Sequence, residues 1–464
     1  MRLSSNIGSG ISVRVCRIHA ETWAIAGLVG LSTGCLESGG VVAHFQSNVN
    51  SGPLRGPGPL APERSSPTPA FDEYWKAIAA IDVTASLDAA RGEPEIAFAK
   101  GIGLFAAGDL QAAERAFTET STQTADPVVA LAARKMLATT LVYQQKWTAL
   151  REVCGNAGAE IADQRNLCGL ERLGEAFASL DAQAVVFPQK PVSLRMRVSQ
   201  VGTPTIKVGI NGKEYNFWLD TGSSITVVSS DVADEAGVLL LGTDTLHVTT
   251  FTGTAPVRPA VVKRIDIGAI VITNTPAIVM EAALMRVRTS ATPGLTWSAV
   301  PVDGIIGWDT IRRFDISLDY DRQNITLQQP AALATKGTTL QNLRWLGKPL
   351  VEVHTSDGTT FHFALDTGAQ VSFVNTSITK QLGVGAGDSY ARLFGMAEGA
   401  RISGRVIRLI RLDVAGRSLP LRDVVVYDPA CSGPINCDGI LGSDIGQFGT
   451  IRIDATNGLF SVGE

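Results

Sequence analysis

The sequence predicts a multidomain chain of the α + all-β class: a helical-repeat-like segment followed by two β-barrels that pair as a pseudo-two-fold bilobal unit. Three observations predict it. Hydrophobic spacing is helical in the first part and turns to strand-like alternation after Pro188. The β part contains an internal repeat built around two Asp-Thr-Gly triplets. A Pro/Gly/Ser-rich stretch separates the folded part from the N-terminus. The expected organisation is an address segment at 1–35, a linker at 36–72, a helical domain at 73–185, a first lobe at 186–330 and a second at 331–464.

Composition narrows the function. Of 464 residues, 45% are hydrophobic and 18% charged, so large cores can form and wholesale disorder is excluded. Lys+Arg number 40 and Asp+Glu 44, a formal net charge of −4 with no basic footprint for nucleic acid. The five histidines form no HExxH and the cysteines no paired CxxC, so neither a metal nor another cofactor is expected. There is no GxSxG elbow and no phosphate-binding GxxxxGK[ST] loop.

The first 35 residues read as an address. Arg14 and Arg17 precede a short apolar run, Trp23 to Leu31, too short to span a bilayer. Leu31-Ser32-Thr33-Gly34-Cys35 resembles a bacterial lipoprotein signal, which implies lipidation at Cys35. Three features depart from that pattern: Leu31 sits one place further from the cysteine, Glu21 intrudes, and the n-region is long. A plain secretory signal and a frayed apolar terminus are the alternatives. Under the lipoprotein reading the membrane contact is the lipid anchor alone. Leu36 stands where an inner-membrane retention aspartate would be, which points to the outer membrane, facing the periplasm. Residues 36–72 carry Gly56-Pro57-Gly58-Pro59 and Ser66-Pro67-Thr68-Pro69, the composition of a tether. With Cys16 and Cys35 set aside, four cysteines remain as two local pairs, Cys154 with Cys168 and Cys431 with Cys437, expected as disulfides in an oxidising compartment; four free thiols are the alternative.

The helical segment is Ala-rich. Lys100 to Phe117 resembles a tetratricopeptide repeat unit, with Gly108-Asp109 as its turn and Ala113 and Phe117 packing the second helix. A weaker copy spans Leu137 to Leu150. Stacked helix pairs form peptide-binding grooves, so a peptide partner is one expectation and a plain helical bundle the other.

In the β part, Asn211-Gly212 and Asp357-Gly358 are hairpin signals. Phe217-Trp218-Leu219-Asp220-Thr221-Gly222-Ser223 is matched by Phe363-Ala364-Leu365-Asp366-Thr367-Gly368-Ala369. Asp303-Gly304-Ile305-Ile306-Gly307 is matched by Asp438-Gly439-Ile440-Leu441-Gly442. The aspartates lie 146 apart and the later glycines 135 apart, so the first copy holds an 11-residue insertion, expected around Met285 to Val302. One Asp-Thr-Gly alone is a common turn. Two of them, each after an apolar strand and each followed 84 or 73 residues later by two apolar residues and Gly, resemble the aspartic peptidases, with retropepsin-like barrels fused in tandem as in pepsin-like enzymes.

The resemblance implies a catalytic dyad of Asp220 and Asp366, with the peptide or protein substrate attacked by an activated water. Thr221 and Thr367 would brace the loops across the interface, and Gly222 and Gly368 would let backbone pass close to the carboxyls. Flap tips are expected at Phe251-Thr252-Gly253 and Phe394-Gly395-Met396; ordinary hairpins are the alternative. Ser223 and Ala369 differ between the copies, so a Ser223 hydroxyl donating to Asp220 would make Asp220 the more acidic partner; closure of a local turn by Ser223 is the alternative. The functional expectation is an aspartic-type endopeptidase, against a non-catalytic envelope peptide-binding or scaffolding protein. A monomer with intramolecular lobe pairing is expected from the short connection between Gln329 and Leu350, against pairing of each barrel with another chain.

Overall fold

The computed structural model describes residues 73–153, 162–199, 202–242, 245–250, 253–290, 297–331, 341–384, 390–393, 402–427, 435 and 437–463. The address segment with Cys35, the linker, Cys154, Cys431 and the flap residues Phe251, Thr252, Phe394, Gly395 and Met396 lie outside the described residues, as do the side chains of Cys168 and Gly253's neighbour Thr254.

Before the first strand the described chain forms α1 (Glu73–Ala79), α2 (Val83–Ala89), α3 (Glu93–Ala106), α4 (Leu110–Gln123), α5 (Pro127–Gln144), α6 (Trp147–Leu150) and α7 (Ala162–Phe177). Short polar side chains start these helices. Asp82, Asp109 and Asp126 accept from the backbone N–H of Ala85, Ala112 and Val128 at 2.9, 3.0 and 2.8 Å. Pro127 occupies the first turn of α5, where its missing N–H costs nothing. Gln145, at φ 57°, ends α5 in a left-handed turn. Aromatic rings fill the helical core. Tyr74, Trp75, Phe98 and Phe117 run ring to ring at 5.2, 5.8 and 5.7 Å.

The two lobes share one plan. In the first, strand Lys213–Leu219 hairpins back on Pro204–Ile210 across Asn211-Gly212, both at positive φ (48° and 89°), as a two-residue mirror-image turn requires. Gly304–Ile306 then inserts parallel to Lys213–Leu219 and antiparallel to Thr226–Ser229. In the second, Gly439–Leu441 inserts the same way, parallel to Thr360–Leu365 and antiparallel to Phe373–Val374. The insertion separating the copies is a hairpin, Arg286–Ser290 with Trp297–Pro301. It lies in a 23-residue connection (281–303) whose counterpart in the second lobe (427–438) has 12 residues, which accounts for the whole difference.

A separate antiparallel sheet joins the lobes. Val192–Arg195, Asn324–Gln328 and Asp315–Asp319 from the first lobe continue into Ile451–Asp454 and Leu459–Val462 at the C-terminal end. Arg452 grips Asp315 across that seam with two hydrogen bonds of 3.0 and 2.9 Å. The helical segment packs onto both lobes. Phe105 and Tyr143 meet Trp345 of the second lobe at 5.3 and 4.8 Å between rings. Trp147, Leu150, Leu173 and Phe177 share a core with Trp218, Ile225, Val248 and Val257 of the first. Among the described residues no helix is long and apolar enough to cross a membrane.

Candidate active site

Each central strand ends by delivering an aspartate. The inserted parallel strand fixes where it stops: Asp220 N–H donates to Ile306 C=O at 3.1 Å, and Asp366 N–H to Leu441 C=O at 2.9 Å. The Ile305-Ile306-Gly307 and Ile440-Leu441-Gly442 segments therefore back the two turns. In each turn the next two backbone N–H groups fold over one carboxyl oxygen. Asp220 Oδ1 accepts from Gly222 and Ser223 at 2.9 and 3.1 Å; Asp366 Oδ1 accepts from Gly368 and Ala369 at 2.9 and 3.0 Å.

The threonines cross between the lobes. Thr221 Oγ1 donates to Leu365 C=O at 2.7 Å and accepts from Thr367 N–H at 3.0 Å; Thr367 Oγ1 donates to Leu219 C=O at 2.6 Å and accepts from Thr221 N–H at 3.1 Å. These four reciprocal bonds place Asp220 and Asp366 face to face. Both are almost wholly removed from solvent, at 0% and 1% exposure. Oδ2 of each is buried and receives no donor from any other described group. Each carboxyl abuts the turn glycine of the other lobe, so one proton shared between the facing pair would supply the missing donor.

Burial raises both carboxyls. Asp220 is held well above the ordinary carboxylate range by burial and then by the facing charge of Asp366. Asp366 is pushed up to about 6 by burial, and the Ala369 and Gly368 N–H groups and the charge of Lys348 work against that rise. The two carboxyls face each other closely enough to titrate as one unit, so the proton belongs to the pair. The hydroxyl bond to Asp220 expected of Ser223 is not formed. Its hydroxyl turns forward and donates to Ile225 C=O at 2.8 Å, closing the turn, while only its backbone N–H reaches Asp220.

A second pair of carboxyls went unnoticed in the sequence. Asp309 and Asp444 each follow the inserted strand's glycine by two residues, an offset shared by both copies that would have revealed them. Asp309 accepts from the Thr226 hydroxyl at 3.2 Å; Asp444 accepts from the Ser372 hydroxyl and N–H at 2.7 and 2.9 Å. Thr226 and Ser372 are equivalent, each six residues after its aspartate. Loss of water pushes both carboxyls up to about 6. A carboxyl raised in the folded state holds its proton more tightly there than in the unfolded chain. Its contribution to stability is complete below about pH 4 and lost as pH rises through 6. The melting temperature should therefore fall between pH 4 and 6.5, and Asp444→Asn should flatten that fall. Thermal melts across the window check this; an Asn variant whose curve runs parallel to the parent's refutes it.

The described strands that flank both expected flap tips pair antiparallel. Leu246–Thr250 pairs with Gly253–Ile267, Thr250 opposite Gly253, and Tyr390–Leu393 pairs with Ile402–Val414, Leu393 opposite Ile402. Cys437 is buried and disulfide-bonded.

The paired turns define an aspartic-peptidase architecture, and the chain has that bilobal fold. The aspartyl protease family model matches residues 206–310 and 351–445, one stretch in each lobe, each containing an Asp-Thr-Gly turn and its inserted strand. Among solved structures, the chain is similar to an aspartic proteinase from Irpex lacteus at 14% identity, covering 58% of this chain and 96% of that one with a TM-score of 0.35. It is also similar to a retropepsin-like aspartic protease from Rickettsia conorii at 17% identity, covering 32% and 93% with a TM-score of 0.20. Comparison with curated proteins gave no match. The family match, on lobes that carry the paired turns, supports placing them in the aspartic peptidase family.

Proposed function

We propose that this chain is an aspartic-type endopeptidase that cleaves peptide or protein substrates in the bacterial cell envelope. The observation that carries the reading is the pair of buried, facing Oδ2 atoms of Asp220 and Asp366. The ionised member of the pair takes a proton from a water held between the carboxyls as the water's oxygen bonds to the scissile carbonyl carbon. The protonated member gives its proton to the carbonyl oxygen. Collapse of the tetrahedral diol breaks the C–N bond: the leaving amine takes the proton gained by the first carboxyl, and a diol hydroxyl returns a proton to the second, which restores the pair.

Digestion of a peptide library by the intact chain between pH 3 and 7 tests the reading. Discrete cleavage products support it. Peptides bound but uncut at every pH would overturn it in favour of the peptide-binding reading.

The envelope location rests on Leu31 to Cys35. We place the chain on the outer membrane, facing the periplasm, anchored by lipid at Cys35, working as a monomer whose lobes pair within the chain. Cys35→Ser should move the protein from the membrane to the soluble periplasmic fraction. Equal membrane association of parent and variant refutes the anchor.

A further inference from the structure

Tyr143 belongs to neither lobe, yet it touches both. It is the penultimate residue of α5 and is 3% exposed. Its hydroxyl donates to Gly347 C=O of the second lobe at 2.6 Å. Its own C=O accepts from the guanidinium of Arg312 in the first lobe. That guanidinium lies over the Tyr143 ring at 5.3 Å and over the Trp345 ring at 4.8 Å. Ser224, four residues after Asp220, lines the same small cavity as Tyr143 and Arg312.

Both arms of this knot lead to the dyad. On the first-lobe side, Arg312 closes the turn that begins at Trp308, and Trp308 N–H donates to Ser223 C=O at 2.6 Å. Ser223 N–H in turn holds Asp220 Oδ1. On the second-lobe side, Gly347 sits at φ 88° in the turn joining Leu343–Trp345 to Pro349–His354, and the next residue is Lys348. The lysine's charge favours ionised Asp366. The threonine bonds and the shared sheet also join the lobes, but through the lobes' own strands and turns. Tyr143 adds a tie from a third element.

We propose that Tyr143 is a positioning residue for the dyad: from the helical segment it ties Gly347 of the second lobe to Arg312 of the first, and so sets how the two carboxyls face each other. The proposal rests on the peptidase reading of that dyad. It makes the helical segment part of the catalytic unit. The charged and titratable groups involved are Arg312 and Asp309 beside Tyr143, and Asp220 and Lys348 beside Asp366.

Tyr143→Phe in the full chain removes the hydroxyl and keeps the ring stack. kcat should fall about tenfold with KM within about twofold, because a small misplacement of reacting groups acts on the chemical step. The acidic limb of the pH–rate profile should move to higher pH, because a Lys348 released from its turn favours ionised Asp366 less. Lys348→Met should move the limb the same way, and Lys348→Arg should restore it. A purely structural tyrosine would lower the melting temperature and leave the limb in place. A 13C NMR titration of the aspartate side chains reads the same midpoint without turnover. A parent that cleaves nothing would therefore count against the peptidase reading, while the titration still decides this one. A folded Tyr143→Phe chain with the parent's kcat and midpoint overturns the proposal. If that variant does not fold, an unmoved midpoint in Lys348→Met overturns it.

Discussion

Alanine at Asp220 or at Asp366 is expected to abolish peptide cleavage, with the double replacement no worse than either single one. In the proposed mechanism the two carboxyls share one proton and act on one water, so each without the other has no chemistry to perform. Members of such a unit are strongly non-additive. A general acid or base typically contributes about 10²–10⁴-fold, and here one substitution removes both roles. Activity should fall by at least about 10³-fold in each single variant. Asparagine makes the cleaner control for folding. Its amide oxygen can still accept the Gly222 and Ser223 N–H groups that hold Asp220, or the Gly368 and Ala369 groups that hold Asp366. Burial raises both carboxyls, so ionising them at neutral pH costs stability. Asp220→Asn should therefore lose cleavage while melting at least as high as the parent at pH 7. Residual turnover above about one per cent of the parent in either alanine variant would sink the dyad.

The dyad and its braces were legible because they are duplicated. A turn repeated at matched spacing cannot be explained by local propensity, and the paired Thr221 and Thr367 follow from the symmetry that the repeat implies. Hairpins at Asn211-Gly212 and Asp357-Gly358 were legible because their turn types demand those residues. The sheet joining Asp315–Asp319 to Ile451–Asp454 was not, since pairing between strands more than 130 residues apart leaves no mark on local alternation. Asp309 and Asp444 stand at matched positions two residues past Gly307 and Gly442, so the repeat does mark them. Ser223 was misjudged for a physical reason. A hydroxyl next to a carboxylate can bond backward or forward, and only the path of the following turn, with Ile225 C=O within 2.8 Å, decides. Tyr143 carries no repeat, because the helical segment has no counterpart in the β half, and Lys348 stands where the 146-residue offset puts Gly202 in the first lobe, so the repeat marks neither.

The glycines of the two turns offer the sharpest test of the facing geometry. A Cβ built on Gly222 would lie 2.4 Å from Asp366 Cγ, and one on Gly368 would lie 2.5 Å from Asp220 Cγ. Real Cβ contacts essentially never fall below 3.0 Å. Neither glycine is at positive φ, so alanine is acceptable to the backbone and the cost is the contact alone. The carboxyl on the other side cannot swing away cheaply, since two N–H groups hold its Oδ1. The lobes must then part, or the carboxyl must give up its turn. Gly222→Ala should cost about 1–3 kcal/mol of stability, as overpacking does, and about 10²-fold or more in cleavage, because the carboxyls no longer meet one water. The clash is crossed, and that gives the decisive comparison. In an Asp366→Ala background, Gly222→Ala should become nearly neutral for stability, because the atoms it strikes are gone. In the same background Gly368→Ala should keep most of its cost, because it strikes Asp220. Thermal or denaturant unfolding of the four double combinations reads this directly. If Gly222→Ala destabilises equally with and without the Asp366 carboxyl, the two turns do not face each other as described, and the shared-proton dyad falls with them.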